Sequence, residues 1–311
     1  MVRCLAGIAL LTLDQFRNLF LTCLAMTSIA MTSGLCHGEI RITDDANRTV
    51  VFEKVPERII SMAPSNTEIL FALGLGDKVV GVTTFCLYPE EARGKEKIGN
   101  FTTINLEKIM LLNPDCIFAT GLEQMMNVNK MEKIGLKVVV ISPSNVSQTI
   151  RSIEMIGKIT GKEDGSGKLI KTMEVRLAKI REKIESIPMD NRPKVLVGIS
   201  LSPLITAGSD SLVDDLIKLA GGRNIAYDAA RSYAQFSIEK IIERNPDIII
   251  LGISHTDEKG WKDFFKRDEF KDLTCVRQGR IYNVNPDIIF RPSQRLVEGI
   301  EKLHELFYPV N

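Results

Sequence analysis

A segment that occurs twice constrains this chain more than any other feature. Residues 104–118 read INLEKIMLLNPDCIF and residues 236–250 read FSIEKIIERNPDIII. Both copies carry Glu-Lys-Ile, then Asn-Pro-Asp, then an apolar run, at the same spacing. Each copy reads as a helix, a turn and a strand. Asn105 and Ser237 stand at matching positions, where each side chain can cap a short helix. Glu107 and Glu239 follow in the first turn, where the helix dipole favours negative charge. Asn-Pro ends the helix, and Asp115 or Asp247 turns the chain into a strand. The tripeptide alone carries little weight, because Asn285-Pro286-Asp287 repeats it without the helix before it. Agreement along the whole segment predicts two equivalent lobes.

The rest of the pattern fits that division. Strands are predicted at 58–62, 78–82, 115–119 and 137–141, and helices at 67–75 (capped by Asn66 or Ser65) and 106–112. A helix over 146–160 and a polar turn over 161–167 lead to a long helix from about Lys168 to Ile187. Its apolar residues Ile170, Met173, Leu177, Ile180, Ile184 and Ile187 step by three and four, giving one apolar stripe. Strands at 194–200, 247–251 and 280–284, with helices at 211–219 and 293–307, complete the second half. Apolar strands separated by helices indicate sheets covered on both faces. The predicted fold is α/β: two doubly wound lobes with mostly parallel sheets, joined by a single long backbone helix, with a ligand cleft between them. The boundaries are a leader over 1–38, a first lobe over 39–145, connecting helices over 146–190 and a second lobe with its terminal helix over 191–311.

The leader is an Arg3-bearing flank, apolar runs and a small-residue exit, the pattern of a secretory signal. Neither apolar run reaches the ~18–20 residues that spanning a bilayer needs. Ser28-Ile29-Ala30 and Cys36-His37-Gly38 are candidate cleavage sites. Cys36 would suit a lipid anchor, but Ser33 and Leu35 before it are the reverse of the usual order. Past the leader only Cys86, Cys116 and Cys275 remain, with no CxxC, which argues against a zinc ribbon or disulfide framework. Cys116 reads as a core residue. A net charge of +1 gives no reason to expect nucleic acid. His37, His255 and His304 are isolated, so direct zinc or manganese binding is not expected. GSGKL at 165–169 has Lys162 where a phosphate loop needs its first glycine, and Gly74-Leu75-Gly76 lacks a third glycine. No acid–base pair or cofactor motif points to an enzyme. Met125-Met126 could line a haem site or simply pack.

With these residues in place, the chain resembles the solute-binding proteins of ABC importers for iron–siderophores, haem and cobalamin. The resemblance rests on RIISMAPSNTEILFALGLGDKVVGVT at 58–83, LYP at 87–89, INLEKIMLLNPD at 104–115 and SIEKIIERNPDIII at 237–250, and it runs from about residue 40 to the end. It implies a monomer that meets the membrane only through a permease dimer with its ATPase, and a small-molecule ligand that is a chelated metal rather than a cofactor. It implies that Glu107 and Glu239 meet arginines on the two permease subunits, a paired arrangement suited to a two-fold partner. It also implies ligand contacts at Phe85, Tyr88 and Phe101 on the first lobe, and at Leu204, Tyr233, Asp287, Phe290 and Arg291 on the second. Aromatic faces would suit a flat macrocycle, and Arg231 or Arg291 an anionic group. Cobalamin binders carry tryptophan where Phe101 stands and tyrosine where Phe85 stands. A haem-binding protein, a surface sensor without an importer and a cleft enzyme on the same plan are the alternatives.

Overall fold

The computed structural model describes residues 39–121, 124–253 and 258–309. The predicted leader, with its cleavage and lipidation sites, lies outside them. Two sheets organise the chain. In the first lobe β3 (Ile59–Ser61), β4 (Val79–Val82), β5 (Glu96–Lys97), β6 (Cys116–Ala119) and β7 (Val138–Val140) form an all-parallel sheet in the order β5-β4-β3-β6-β7. Each short apolar strand sends alternate residues to opposite faces. Ile59, Cys116, Phe118 and Val139 enter one core with helices Pro64–Ala72 and Val146–Thr160. Ile60, Ile117, Val138 and Val140 enter the other with helices Leu106–Leu111 and Met125–Lys133.

The second lobe uses the same plan. Its strands are β8 (Lys194–Leu201), β9 (Leu204–Ala207), β10 (Arg223–Asn224), β11 (Tyr233–Gln235), β12 (Ile248–Leu251) and β13 (Ile281–Asn283). They run in the order β11-β9-β8-β12-β13, with β10 beside β8. Strands β8, β12 and β13 are parallel, while β9 and β11 add an antiparallel edge that the sequence pattern did not announce. Val195, Val197, Ile248 and Ile250 face helices Leu212–Leu219 and Leu296–Phe307, and Leu196, Ile249 and Leu251 face the opposite core.

The duplicated segment occupies the same place in both lobes. Asn105 Oδ1 accepts the N–H of Lys108 at 2.9 Å, and Ser237 Oγ accepts that of Lys240 at 3.2 Å, so both predicted caps form. Asn113 and Asn245 leave their helices in the left-handed region, at φ 44° and 43°, which asparagine tolerates better than most residues. Asp115 Oδ1 and Oδ2 accept the N–H groups of Arg58 and Glu57, both at 2.9 Å, and Asp247 Oδ2 accepts that of Lys194 at 2.7 Å. The cations at the start of the first strand, Arg58 just before β3 and Lys194 opening β8, then reach back to the helix end. Arg58 Nε donates to the Leu112 carbonyl at 3.0 Å and Lys194 Nζ to the Arg244 carbonyl at 2.7 Å. In each lobe one aspartate and one cation therefore join the repeat unit to the first strand of its sheet.

Several local expectations shift. The first helix begins at Pro64 rather than Thr67, with Ala63 as its N-cap. Ser65 and Asn66 are therefore buried inside it, and Asn66 Nδ2 donates to the Ala119 carbonyl at 3.2 Å. The terminal helix starts at Leu296 rather than Ser293. The polar turn over 161–167 shrinks to Gly161 and Lys162, and the long helix runs from Glu163 to Glu185. The glycines that suggested a turn lie inside this helix, where Glu163 and Asp164 suit the first turn. Ser166 sits so close to Gly157 of the preceding helix that a Cβ there would clash with it. A hairpin of β1 (Ile40–Thr43) and β2 (Thr49–Phe52) precedes the first sheet. Buried Asp44 ties it down by accepting the N–H of Val140 at 3.0 Å. Burial opposes the charge on Asp44, but Arg48 and these N–H bonds outweigh it and hold its carboxyl below the usual range.

The connection between lobes is helical. Val146 at the start of the first connecting helix belongs to the second lobe's core, and Ile153, Ile156 and Ile159 to the first lobe's. The long helix returns the other way, with Met173 in the first core and Ile180 and Ile184 in the second.

Candidate functional site

In a doubly wound sheet the chain reverses direction of winding beside its first strand, and a crevice opens at the carboxyl ends there. In the first lobe that place lies between β3 and β6. Met62 follows β3, Thr120 follows β6, and the segment from Phe85 to Tyr88 follows β4. Cys86 is fully buried, with its sulfur 3.1 Å from Thr67 Oγ1 and 3.2 Å from Thr83 Oγ1. This anchor turns its neighbours outward: Phe85 is 53% and Tyr88 44% exposed. Phe101 is half-buried, and its loop is held by Gln124. The Gln124 amide donates to the Phe101 and Met62 carbonyls, both at 2.9 Å, and its Oε1 accepts the N–H of Thr120 at 2.9 Å. One buried glutamine thus fixes three loops at the crevice.

The second lobe presents Tyr233 at 46% exposure on edge strand β11. Leu204 is buried in the core instead, at the wall of a cavity of about 480 Å³ that also touches Phe236, Glu239 and Arg267. Asn285 caps helix Pro286–Phe290 by accepting the N–H of Asp287 at 3.0 Å. Phe290 packs on Gly252, where a Cβ would clash with its ring. Asp287 pairs with Arg291 at 2.8 Å. Arg231 is exposed and forms no ion pair among the described residues.

The lobes meet at Glu68, which sequence reading missed. Its side chain is fully buried in the first lobe's helix Pro64–Ala72. Ser293 Oγ donates to Glu68 Oε2 at 2.6 Å. Arg291 and Arg295 donate to Oε1 at 3.3 and 3.4 Å, and Gln294 Nε2 donates to the Glu68 carbonyl at 3.3 Å. Arg295 also stacks on the Tyr88 ring, 4.1 Å from its centroid. Burial pushes the Glu68 carboxyl above its ordinary range, against the opposing pull of Ser293, Arg295 and Arg291. Tyr88 is thereby linked to Asp287 and Arg291 through Arg295 and Glu68, whereas Leu204 lies apart, beside Glu239.

Glu107 and Glu239 are exposed at the first turns of their helices, and neither forms an ion pair among the described residues. Each helix runs back along its sheet, so these turns stand at the same carboxyl ends as the crevice. Three residues after each glutamate the helices expose apolar side chains, Met110 and Ile242, and the first adds Leu111 at 84% exposure.

Among the described residues, no group of three or more His, Cys, Asp or Glu could hold a metal ion. Cys86, Cys116 and Cys275 are free and buried, and burial pushes the Cys275 thiol up to about 11. His304 Nδ1 lies 3.1 Å from the Ala220 carbonyl, a packing contact; His37 and His255 lie outside the described residues. Met125 is packed in the first lobe and Met126 is exposed. GSGKL lies inside the long helix, so it forms no phosphate loop. No helix of the described residues is long and apolar enough to cross a membrane.

Comparison with known proteins agrees with this architecture. The chain is 36% identical over 275 residues to an uncharacterized ABC transporter substrate-binding lipoprotein of Bacillus subtilis, covering 87% of this chain and 86% of that one. The crystal structure of the vitamin B12-binding protein BtuF of Vibrio cholerae superposes with a TM-score of 0.71 at 28% identity, covering 81% of this chain and 96% of BtuF. The haem-binding protein RhuT of Roseiflexus gives 0.72 at 26% identity, covering 81% and 98%. The family model described as periplasmic binding protein matches residues 59–288. With two lobes, a helical connection and a crevice at the carboxyl ends of both sheets, this chain belongs to the periplasmic binding protein family.

Proposed function

We propose that this protein is the extracytoplasmic solute-binding component of an ABC importer. It takes a metal chelate, a ferric siderophore or a cobalamin-type corrinoid, into the interlobe cleft and hands it to the permease. The observation that carries this reading is the crevice itself. Phe85 and Tyr88 follow β4 at the carboxyl end of the first sheet, and Tyr233 lies on β11 of the second, and all three rings are exposed, which suits a ligand with flat apolar faces. Family membership and the B12-binding relative support the ligand class. The paired glutamates Glu107 and Glu239, exposed at equivalent places, suit a two-fold permease. Phe101 and Phe85 would take the stacking places of a tryptophan and a tyrosine.

A haem ligand is the second reading, favoured by the likeness to a haem-binding protein. It fits less well, because haem carries two carboxylates while Arg291 is held by Asp287 and Glu68, leaving Arg231 as the exposed candidate. Thermal-shift measurements with cyanocobalamin, haemin and several ferric siderophores separate these readings. A true ligand at 100 times its dissociation constant stabilises by about 2.7 kcal/mol. No shift with any of them rejects the chelate class.

A further inference from the structure

A carboxylate with no exposed atom needs a reason to remain charged, and Glu68 has three donors supplied by the opposite lobe. The donors come from one short segment, Arg291 to Arg295, which joins helix Pro286–Phe290 to the terminal helix Leu296–Phe307. Each guanidinium has a second partner. Arg291 holds Asp287 at 2.8 Å, and Arg295 lies on the ring of Tyr88 and within 3.7 Å of Glu298. The anion therefore stands between two cations, one on the first lobe's Tyr88 and the other on the second lobe's Asp287.

We propose that Glu68 is the positioning residue of the cleft: through Arg295 it holds Tyr88, and through Arg291 it holds Asp287, fixing the spacing of the two walls before a ligand arrives. This rests on the reading of that cleft as the ligand site, but the mechanical part stands on the contacts alone. The geometry explains why two arginines lie so close together: without the carboxylate between them, they would repel across a poorly solvated junction. It also explains why Ser293 is buried, since its hydroxyl makes the shortest bond to Glu68 and orients the carboxylate toward both guanidinium groups. A preset spacing lowers the ordering cost of binding.

The test is hydrogen exchange on the ligand-free full chain, comparing wild type with Glu68→Gln and Glu68→Ala. Glutamine keeps the volume and can still bond Ser293, removing only the charge. Local openings in which the arginines leave while Glu68 stays buried lose their charge-assisted contacts, so exchange in residues 87–91 and 286–295 should speed up by about tenfold in Glu68→Gln. Strands β8 and β12 should exchange as in wild type. Should Glu68→Gln exchange like wild type in both segments while only the alanine variant speeds up, Glu68 merely fills space and the proposal falls. A uniform rise along the whole chain overturns it as well, because that is loss of global stability. Binding of cyanocobalamin and haemin is measured in parallel, and a probe bound by wild type should bind Glu68→Gln about tenfold more weakly. If wild type binds neither probe nor any of the ferric siderophores, the ligand reading fails, while the exchange result still decides the role of Glu68.

Discussion

Each residue of the Asn-Pro-Asp tripeptide has its own task, and the two working copies show them side by side. The asparagine turns left-handed, the proline blocks further helix, and the aspartate pairs with the strand next door. Asp115 receives two backbone N–H groups and Asp247 receives one from its own strand neighbour. Replacing either by alanine should cost on the order of 1 kcal/mol, more at Asp115 than at Asp247. Urea unfolding of the two single variants checks the order. The helix stop at Asn-Pro was legible because neighbours in sequence set it, whereas the aspartates' partners lie 53 to 58 residues away. Glu68 was not legible, since its partners lie 223 to 227 residues away and nothing local distinguishes it from a solvated helical glutamate. Its raised pKa, due first to burial, has a consequence for stability. The folded state binds this proton more tightly than the unfolded chain does. The associated stabilisation is complete below the unfolded value near 4.5 and is lost as pH rises through the folded value. The melting temperature of wild type should therefore fall relative to that of Glu68→Gln as pH rises above 4.5. A difference independent of pH would contradict the raised pKa.

Secondary-structure elements carry the docking argument. Two short helices, six and seven residues long, present Glu107 and Glu239 with an exposed apolar side chain one turn later. Reversing both charges, Glu107→Lys with Glu239→Lys, should abolish uptake in cells while leaving solute affinity of the purified protein unchanged. Neither residue makes an ion pair among the described residues, so the melting temperature should fall only by the small cost of placing cations at two helix N-termini. Lost affinity would place these glutamates in the ligand site instead. The elements most visible in the sequence were the buried parallel strands and the helix over Val146–Thr160, whose periodicities are strong. The least visible were the hairpin Ile40–Phe52 and strands β9 and β11, pieces only three or four residues long. Residues 161–167 misled because glycine and serine mark turns and also permit close helix packing. The contact of Gly157 with Ser166 is the second use.

On the scale of the whole molecule, the two lobes are tied at Glu68 and along two helices that each enter both cores. Closure on ligand binding should be small, and X-ray scattering with and without a bound ligand should show nearly the same radius of gyration; a large decrease would indicate a true hinge. The two-lobed plan was legible from the duplicated segment, whereas the ligand contacts are expected only from the family resemblance, because those residues come from both halves of the chain. The shared helices also bear on how the protein comes apart. Melting the first lobe would strip Ile153 and Met173 of their surroundings, on the same helices that carry Val146, Ile180 and Ile184 for the second. Neither half can lose order without fraying an element the other requires. Chemical denaturation of the full chain should therefore give one sigmoid by fluorescence and by circular dichroism, with coincident midpoints. A chain cut after Ile187 should yield two pieces that are each molten alone and regain order only when mixed.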